Sequence, residues 1–288
     1  MGSFFTLDPS GDRLYISVAK IDPVRKLATL RPSLAVVAPL LLALSVPAAA
    51  ADLPVKAPAH AHTMSWTGCY VGLNAGGAAS GSDFTTSVDS GTHLVDPADL
   101  ATAGATGTGS SNDAGFIGGV QAGCNYQTGI FVAGIEGDWD YLRSHPTFNN
   151  PNGVLTRGDT QATTQSLRTD SLATIRPRLG IASDRSLIYA TGGVAFARVK
   201  YTQTYLDTLN AAAGTATASS TLVGWTAGAG WEWAWTDQIS VKTEYLFAKF
   251  PTFNALGTIV DNAGGTNTLH GSANLTIQTV RLGVNYRF

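Results

Sequence analysis

The chain has 288 residues, of which only 13% are charged, about half the usual share in a soluble domain. A formal net charge of -2 offers nothing to a nucleic acid, and two cysteines are too few for a disulfide scaffold or a zinc ribbon. A mean hydropathy of +0.08 with 32 glycines excludes a helical membrane protein and suits a membrane β-barrel.

Arg25, Lys26 and Arg31 precede an apolar run from Leu34 to Val46, and Pro47, Ala48, Ala49, Ala50 and Ala51 follow it. A basic region, an apolar core too short to span a bilayer and a small-residue cleavage site form a secretory leader over residues 25–51. Cleavage is expected after Ala50 or Ala51. Residues 1–24 contain Asp8, Asp12 and Asp22 and fit no part of that leader, so they read as a non-native extension, with Val24 as a candidate start. Residues 52–65 carry Pro54 and Pro58 without periodicity and read as a periplasmic tether. His60 and His62 in it could hold a metal, but no further ligand is near, and a solvated tail is expected.

From Trp66 onward, strands of ten or more residues with period-two alternation are joined by long polar segments and short turns in turn. The strands are expected at 66–77, 114–127, 130–142, 168–182, 187–201, 221–235, 239–250 and 273–288. The long segments fall at 78–113, 144–166, 202–220 and 251–272, and read as loops; the first carries Asp83, Asp89, Asp96, Asp99 and Asp113. The fifth strand's facing is ambiguous. Pro177 in the fourth cannot donate to a ladder, so a bulge is expected there. Eight strands, with every long connection at one end, describe an all-β, antiparallel up-and-down transmembrane barrel over residues 66–288, with four outer loops and short periplasmic turns. Closure removes strand edges that lipid would penalise. Trp66, Tyr126, Trp139, Tyr141, Trp233, Trp235, Tyr286 and Phe288 are expected at the membrane interfaces.

On the polar face stand Glu136, Asp138, Asp140, Glu232 and Glu244 against Arg176, Arg178, Lys242, Arg281 and Arg287. An eight-stranded barrel is about wide enough for its own side chains, and buried charges must pair. These ten are therefore expected to plug the lumen. Glu136 with Arg176 or Arg178 is the best pair, followed by Lys242 with Glu232 or Glu244 and Arg281 with Glu244; Arg287 is also expected to meet an acid. Cys69 and Cys124 share the lipid-facing set. A bridge between them is geometrically awkward, so free thiols are expected, with a disulfide as the alternative. His93, His145, His270 and Tyr205 are candidate haem contacts in the loops, but nothing in the sequence groups them. No serine or acid at catalytic spacing accompanies the histidines, so no enzyme and no cofactor are expected.

Several segments look familiar together. They are Ala51-Asp52-Leu53-Pro54, Trp66-Thr67-Gly68-Cys69-Tyr70-Val71-Gly72, Gly134-Ile135-Glu136-Gly137-Asp138, Ile175-Arg176-Pro177-Arg178-Leu179-Gly180, Tyr189-Ala190-Thr191-Gly192-Gly193-Val194-Ala195, Gly224-Trp225-Thr226-Ala227-Gly228-Ala229-Gly230 and Ser240-Val241-Lys242-Thr243-Glu244-Tyr245-Leu246. They resemble the small outer-membrane β-barrel proteins of rhizobia and brucellae, the 25/31-kilodalton family of porin-like, OmpA-type barrels. Cys69 and Pro177 depart from the aromatic and the small residue expected there. The resemblance implies the outer membrane, with lipid and lipopolysaccharide around a monomeric barrel. It implies activity only weakly: a structural envelope protein first, a narrow pore or a haem- or ligand-binding barrel second. Val284, Tyr286 and Phe288 in the last strand resemble the C-terminal signal read by the barrel-assembly machinery.

Overall fold

The computed structural model describes residues 64–288, together with two short segments, Thr6–Leu7 and Leu14–Tyr15, which pair with each other. The leader and nearly all of the tether, including His60 and His62, lie outside the described residues. The barrel strands are β1 (Gly68–Val88), β2 (Gly109–Thr128), β3 (Phe131–Ser144), β4 (Thr147–Val154), β5 (Thr160–Ser183), β6 (Ser186–Asp207), β7 (Ala213–Ala234), β8 (Ile239–Val260) and β9 (Thr266–Arg287). A helix, α1 (Pro97–Thr106), lies between β1 and β2. Apart from β3 and β4, each strand pairs antiparallel with its neighbour in sequence, and β9 returns to β1. β3 and β4 are one stave interrupted at His145-Pro146, since both pair with β5. The ring therefore has eight staves.

The strands are longer than alternation suggested. Most run 20 to 24 residues, which at ~3.3 Å per residue is about twice the length a tilted membrane strand needs. Much of each expected outer loop is strand: residues 78–88, 109–113, 160–166, 202–207 and 251–260 all continue the ladders. The physical reason is an inversion of faces. Near the periplasmic end, β9 turns Val280, Leu282, Val284 and Tyr286 outward and buries Arg281, Asn285 and Arg287. Further out, the same strand buries Leu269, Ala273, Leu275 and Ile277 and turns Thr268, Ser272, Thr276 and Gln278 toward the outside. The backbone alternation is unbroken, but the apolar set changes from even to odd positions. On this strand a belt with apolar exterior and polar interior thus gives way to an extension that turns polar residues outward and apolar ones inward.

Two further expectations change. Pro177 makes no bulge: β5 keeps one register with β3 through Ile135↔Pro177, and with β6 from Ile175↔Val194 to Arg178↔Thr191. Thr191 Oγ1 donates to the Pro177 carbonyl at 2.9 Å, so local pairing is kept without a shift. The irregularities fall further out, between Tyr141 and Ser144, Asn150 and Gly153, Thr169 and Ser171, Phe250 and Phe253, and, against β7, Lys249 and Gly257. The ambiguous strand, β6, buries Leu187, Tyr189, Ala195, Ala197, Val199 and Tyr201, and turns Ile188, Val194 and Arg198 outward.

Candidate functional site

Within the belt the interior is a network of charges. Glu136 on β3 lies opposite Arg176 on β5, and the pair closes at 2.8 Å. Arg176 also reaches Asp138 at 2.7 Å and Glu244 at 3.2 Å. Arg178 bonds Glu232 at 2.7 Å, lies 3.5 Å from Glu136 and stacks on Tyr189, its guanidinium carbon 3.9 Å from the ring centroid. Lys242 crosses the lumen to Glu136 at 2.8 Å, with Glu244 at 3.7 Å; it does not pair with Glu232. Arg281 holds Asp140, Asp138 and Glu244. Tyr70 donates to Glu136, and Tyr189 to Glu244 at 2.8 Å. Glycine makes room for both tyrosines: a side chain at Gly123 would strike the Tyr70 hydroxyl, and one at Gly230 that of Tyr189. All these groups are buried, and each charge has opposite charges beside it, as a low-dielectric lumen requires.

Arg287 stands apart. Among the described residues it pairs with no carboxylate. It donates to the carbonyls of Ser65 at 3.1 Å and Asp237 at 2.9 Å, and its guanidinium carbon is 4.9 Å from the Trp66 ring centroid. Trp66 is fully buried rather than placed at a membrane interface, because the chain before β1 turns inward and seats it, with Met64, against Val132, Ala182, Leu187 and Ala234. The inner mouth is thereby closed. Just outside, Cys69 and Cys124 are register partners, joined by a disulfide. This corrects the expectation of free thiols: with α-carbons 4.0 Å apart, the two form a close pair between strands. On β9, Val284 and Tyr286 face outward and Phe288 is exposed beyond them.

Beyond the belt an apolar layer comes first, and above it buried Thr86, Gln165, Tyr201 and Gln203 form a hydrogen-bonded cluster, with Gln203 donating to Thr86 at 2.7 Å. Ile117, Leu142, Leu167, Leu172, Phe250, Leu275 and Ile277 fill the layer, with Phe84, Tyr201 and Leu269 further out. Helix α1 closes the top. Asp96 caps its first turn by accepting from the Ala98 amide at 2.8 Å, Pro97 occupies the first position and Gly107 ends it, a start and stop that favour a helix. Asp99 accepts from the Thr156 amide at 2.6 Å, and Thr106 accepts from Gln161 at 2.9 Å.

His93, just before α1, completes the cap. Its Nδ1 lies 2.9 Å from Asp261 and its Nε2 2.8 Å from Asp207, with all three side chains buried. Tyr205 donates to the same Asp207 oxygen at 2.7 Å, and Asn267 accepts from the His93 and Leu94 amides. Burial pulls the imidazole pKa down, but the hydrogen bonds and charges of Asp207 and Asp261 outweigh it, so the pKa is raised. Two of the four candidate haem contacts, His93 and Tyr205, are therefore grouped after all, but as a clasp whose ring nitrogens are both engaged. His270 sits apart with Asp89 at 2.8 Å, and His145 lies at the break between β3 and β4.

A family model for the outer membrane protein beta-barrel domain matches residues 36–288. The chain is 33% identical over 252 residues to the 31 kDa outer-membrane immunogenic protein of Brucella melitensis biotype 1, covering 84% of this chain and 93% of that protein. It is 27% identical over 264 residues to the 25 kDa outer-membrane immunogenic protein of Brucella abortus biovar 1, covering 89% and 98%. Among solved structures, the outer membrane protease OmpT from Escherichia coli is similar with a TM-score of 0.39 and 9% identity, over 77% of this chain and 97% of that one. Ring topology, outward apolar belt and sequence agree: the chain belongs to the outer membrane protein beta-barrel family, and its place is the cell outer membrane.

Proposed function

We propose that this protein is a closed structural barrel that anchors a rigid β-extension above the outer leaflet and contributes to envelope integrity and surface properties, without catalysis. The filled interior carries the reading. Trp66 and Arg287 occupy the inner mouth, the charge network fills the belt, and an apolar layer followed by a packed cluster of Thr86, Gln165 and Gln203 fills the extension. A narrow diffusion pore would need a continuous polar path, and the apolar layer of Leu142, Leu172, Phe250, Leu275 and Ile277 interrupts one. The expected result for refolded protein in planar bilayers is no stable conductance. A large, stable single-channel step would overturn the closed-barrel reading in favour of the pore.

A further inference from the structure

Among the described residues, the outward-facing strand bases are Arg143 on β3, Arg168 on β5, Arg198 and Lys200 on β6, and Lys249 on β8. Arg143, Arg168, Arg198 and Lys200 share the wall made by the adjacent staves β3, β5 and β6, whereas Lys249 lies on β8, across the ring from β3. β1, β2, β7 and β9 carry no outward lysine or arginine, and the outward carboxylates near the rim there are Asp83 and the exposed Asp89, the latter beside His270. Height is set as narrowly as side. Arg143 follows Tyr141, Arg198 follows Phe196 and Lys249 follows Phe247, each two residues outward of an aromatic at the edge of the belt, a step of ~6.6 Å along the strand. That is the headgroup level, above the interfacial aromatics.

Two features distinguish this wall from an ordinary solvated rim. Arg168 and Lys200 are direct cross-strand partners, both outward, and like charges so placed repel unless an anion lies between them. The register breaks beside Tyr141 and Thr169 also open a notch of about 230 Å³ lined by Tyr141, Arg143, His145, Arg168 and Asp170. Asp170 is tied to Arg168 at 2.6 Å, and nearby Asp113 is engaged by the His145 amide at 2.6 Å. Below the bases, an apolar groove of about 860 Å³ starts at Phe196, Ile175 and Trp139 and continues beyond this wall to Val120, Leu73 and Val284 on β2, β1 and β9.

We propose that this wall docks a phosphorylated glycolipid of the outer leaflet. Its phosphate oxygens lie among Arg143, Arg168, Arg198 and Lys200, and its acyl chains lie in the groove beneath. The anion relieves the Arg168–Lys200 repulsion, and arginine suits phosphate through its forked donors. The barrel is thereby fixed in height and rotation against the surrounding lipopolysaccharide.

The test titrates full-length barrel in neutral detergent and chelator with three probes: labelled lipopolysaccharide, the same material enzymatically dephosphorylated, and inorganic phosphate. Dephosphorylation is expected to weaken binding by at least about tenfold, and R143Q/R168Q/R198Q/K200Q to weaken binding of the phosphorylated form as much. R143K/R168K/R198K keeps the charges and is expected to stay within about threefold of the parent. Equal affinity for the two lipopolysaccharides, or no change in the glutamine variant, overturns the site. Displacement by equimolar inorganic phosphate overturns the lipid in favour of a free-anion site. Because the dephosphorylation comparison uses the unaltered protein, it decides the question even if a variant fails to show the folded form on unheated gels.

Discussion

Arg176 shows what a single residue does in this lumen. Its guanidinium joins Glu136, Asp138 and Glu244, which come from β3 and β8, so it ties staves on opposite sides of the ring. Replacing it with leucine keeps bulk but leaves several acids without their central cation. Breaking a buried pair from one side costs about 3–5 kcal/mol, and R176L is expected to lose that much in urea unfolding from lipid vesicles. R176K should recover only part of it, since one ammonium cannot fork among three carboxylates. A loss below about 1 kcal/mol in R176L, the scale of an exposed pair, would mean that the network is not structural. Alternation alone assigns such residues to a face. It cannot assign partners, because those follow the ring's curvature: Lys242 passes over Glu232, its register partner, to reach Glu136 across the lumen.

At the scale of elements, the cap is held by a histidine between two acids. Asp207 ends β6, Asp261 follows β8, and Tyr205, Asn267 and Asp99 surround them. Because the folded pKa of His93 lies above its ordinary value of 6.5, the clasp's contribution is complete below the unfolded pKa and is lost as pH rises through the folded one. Proteinase K cleavage within residues 89–108, normalised to an unfolded substrate, is therefore expected to accelerate as pH is raised above about 6.5. H93Q should cleave faster than the parent at acidic pH and show a flat profile. A parent profile as flat as that of H93Q would remove His93 as the cause. Helix α1 falls inside the segment 78–113 that reads as a loop, because its signal is only local: Asp96-Pro97 before an alanine-rich run ending at Gly107 caps a helix without any strand-like or amphipathic period around it. The clasp was not legible either, because His93 lies 114 residues from Asp207 and 168 from Asp261, and no local pattern joins them. The disulfide was obscured for a similar reason, since both cysteines could be assigned to a face but not to opposing positions.

At the scale of the molecule, one barrel works in two solvents. Seven staves run from lipid into water as single strands and the eighth is interrupted at His145-Pro146, and the faces exchange polarity where they cross. This exchange could be read in β9 as the apolar set moving from Leu269, Leu275 and Ile277 to Val280, Leu282 and Val284, yet scanning for one continuous alternation treats the change of phase as the end of a strand. It also explains why eight staves were legible and their length was not. The inversion makes paired substitutions on β9 behave oppositely. Leu275 is fully buried in the extension, so L275A leaves a cavity and is expected to cost about 2–5 kcal/mol, whereas Gln278, outward beyond the belt, should tolerate arginine within about 0.5 kcal/mol. Leu282, outward within the belt, loses little as alanine because lipid fills the space it vacates, but L282R places a charge against hydrocarbon and should cost about 2–4 kcal/mol near the midplane. Urea unfolding of the four variants in vesicles reads all of this at once. If Q278R were as damaging as L282R, the belt would extend further outward than the faces indicate. If L275A were neutral, the extension would lack the packed core that closes the barrel.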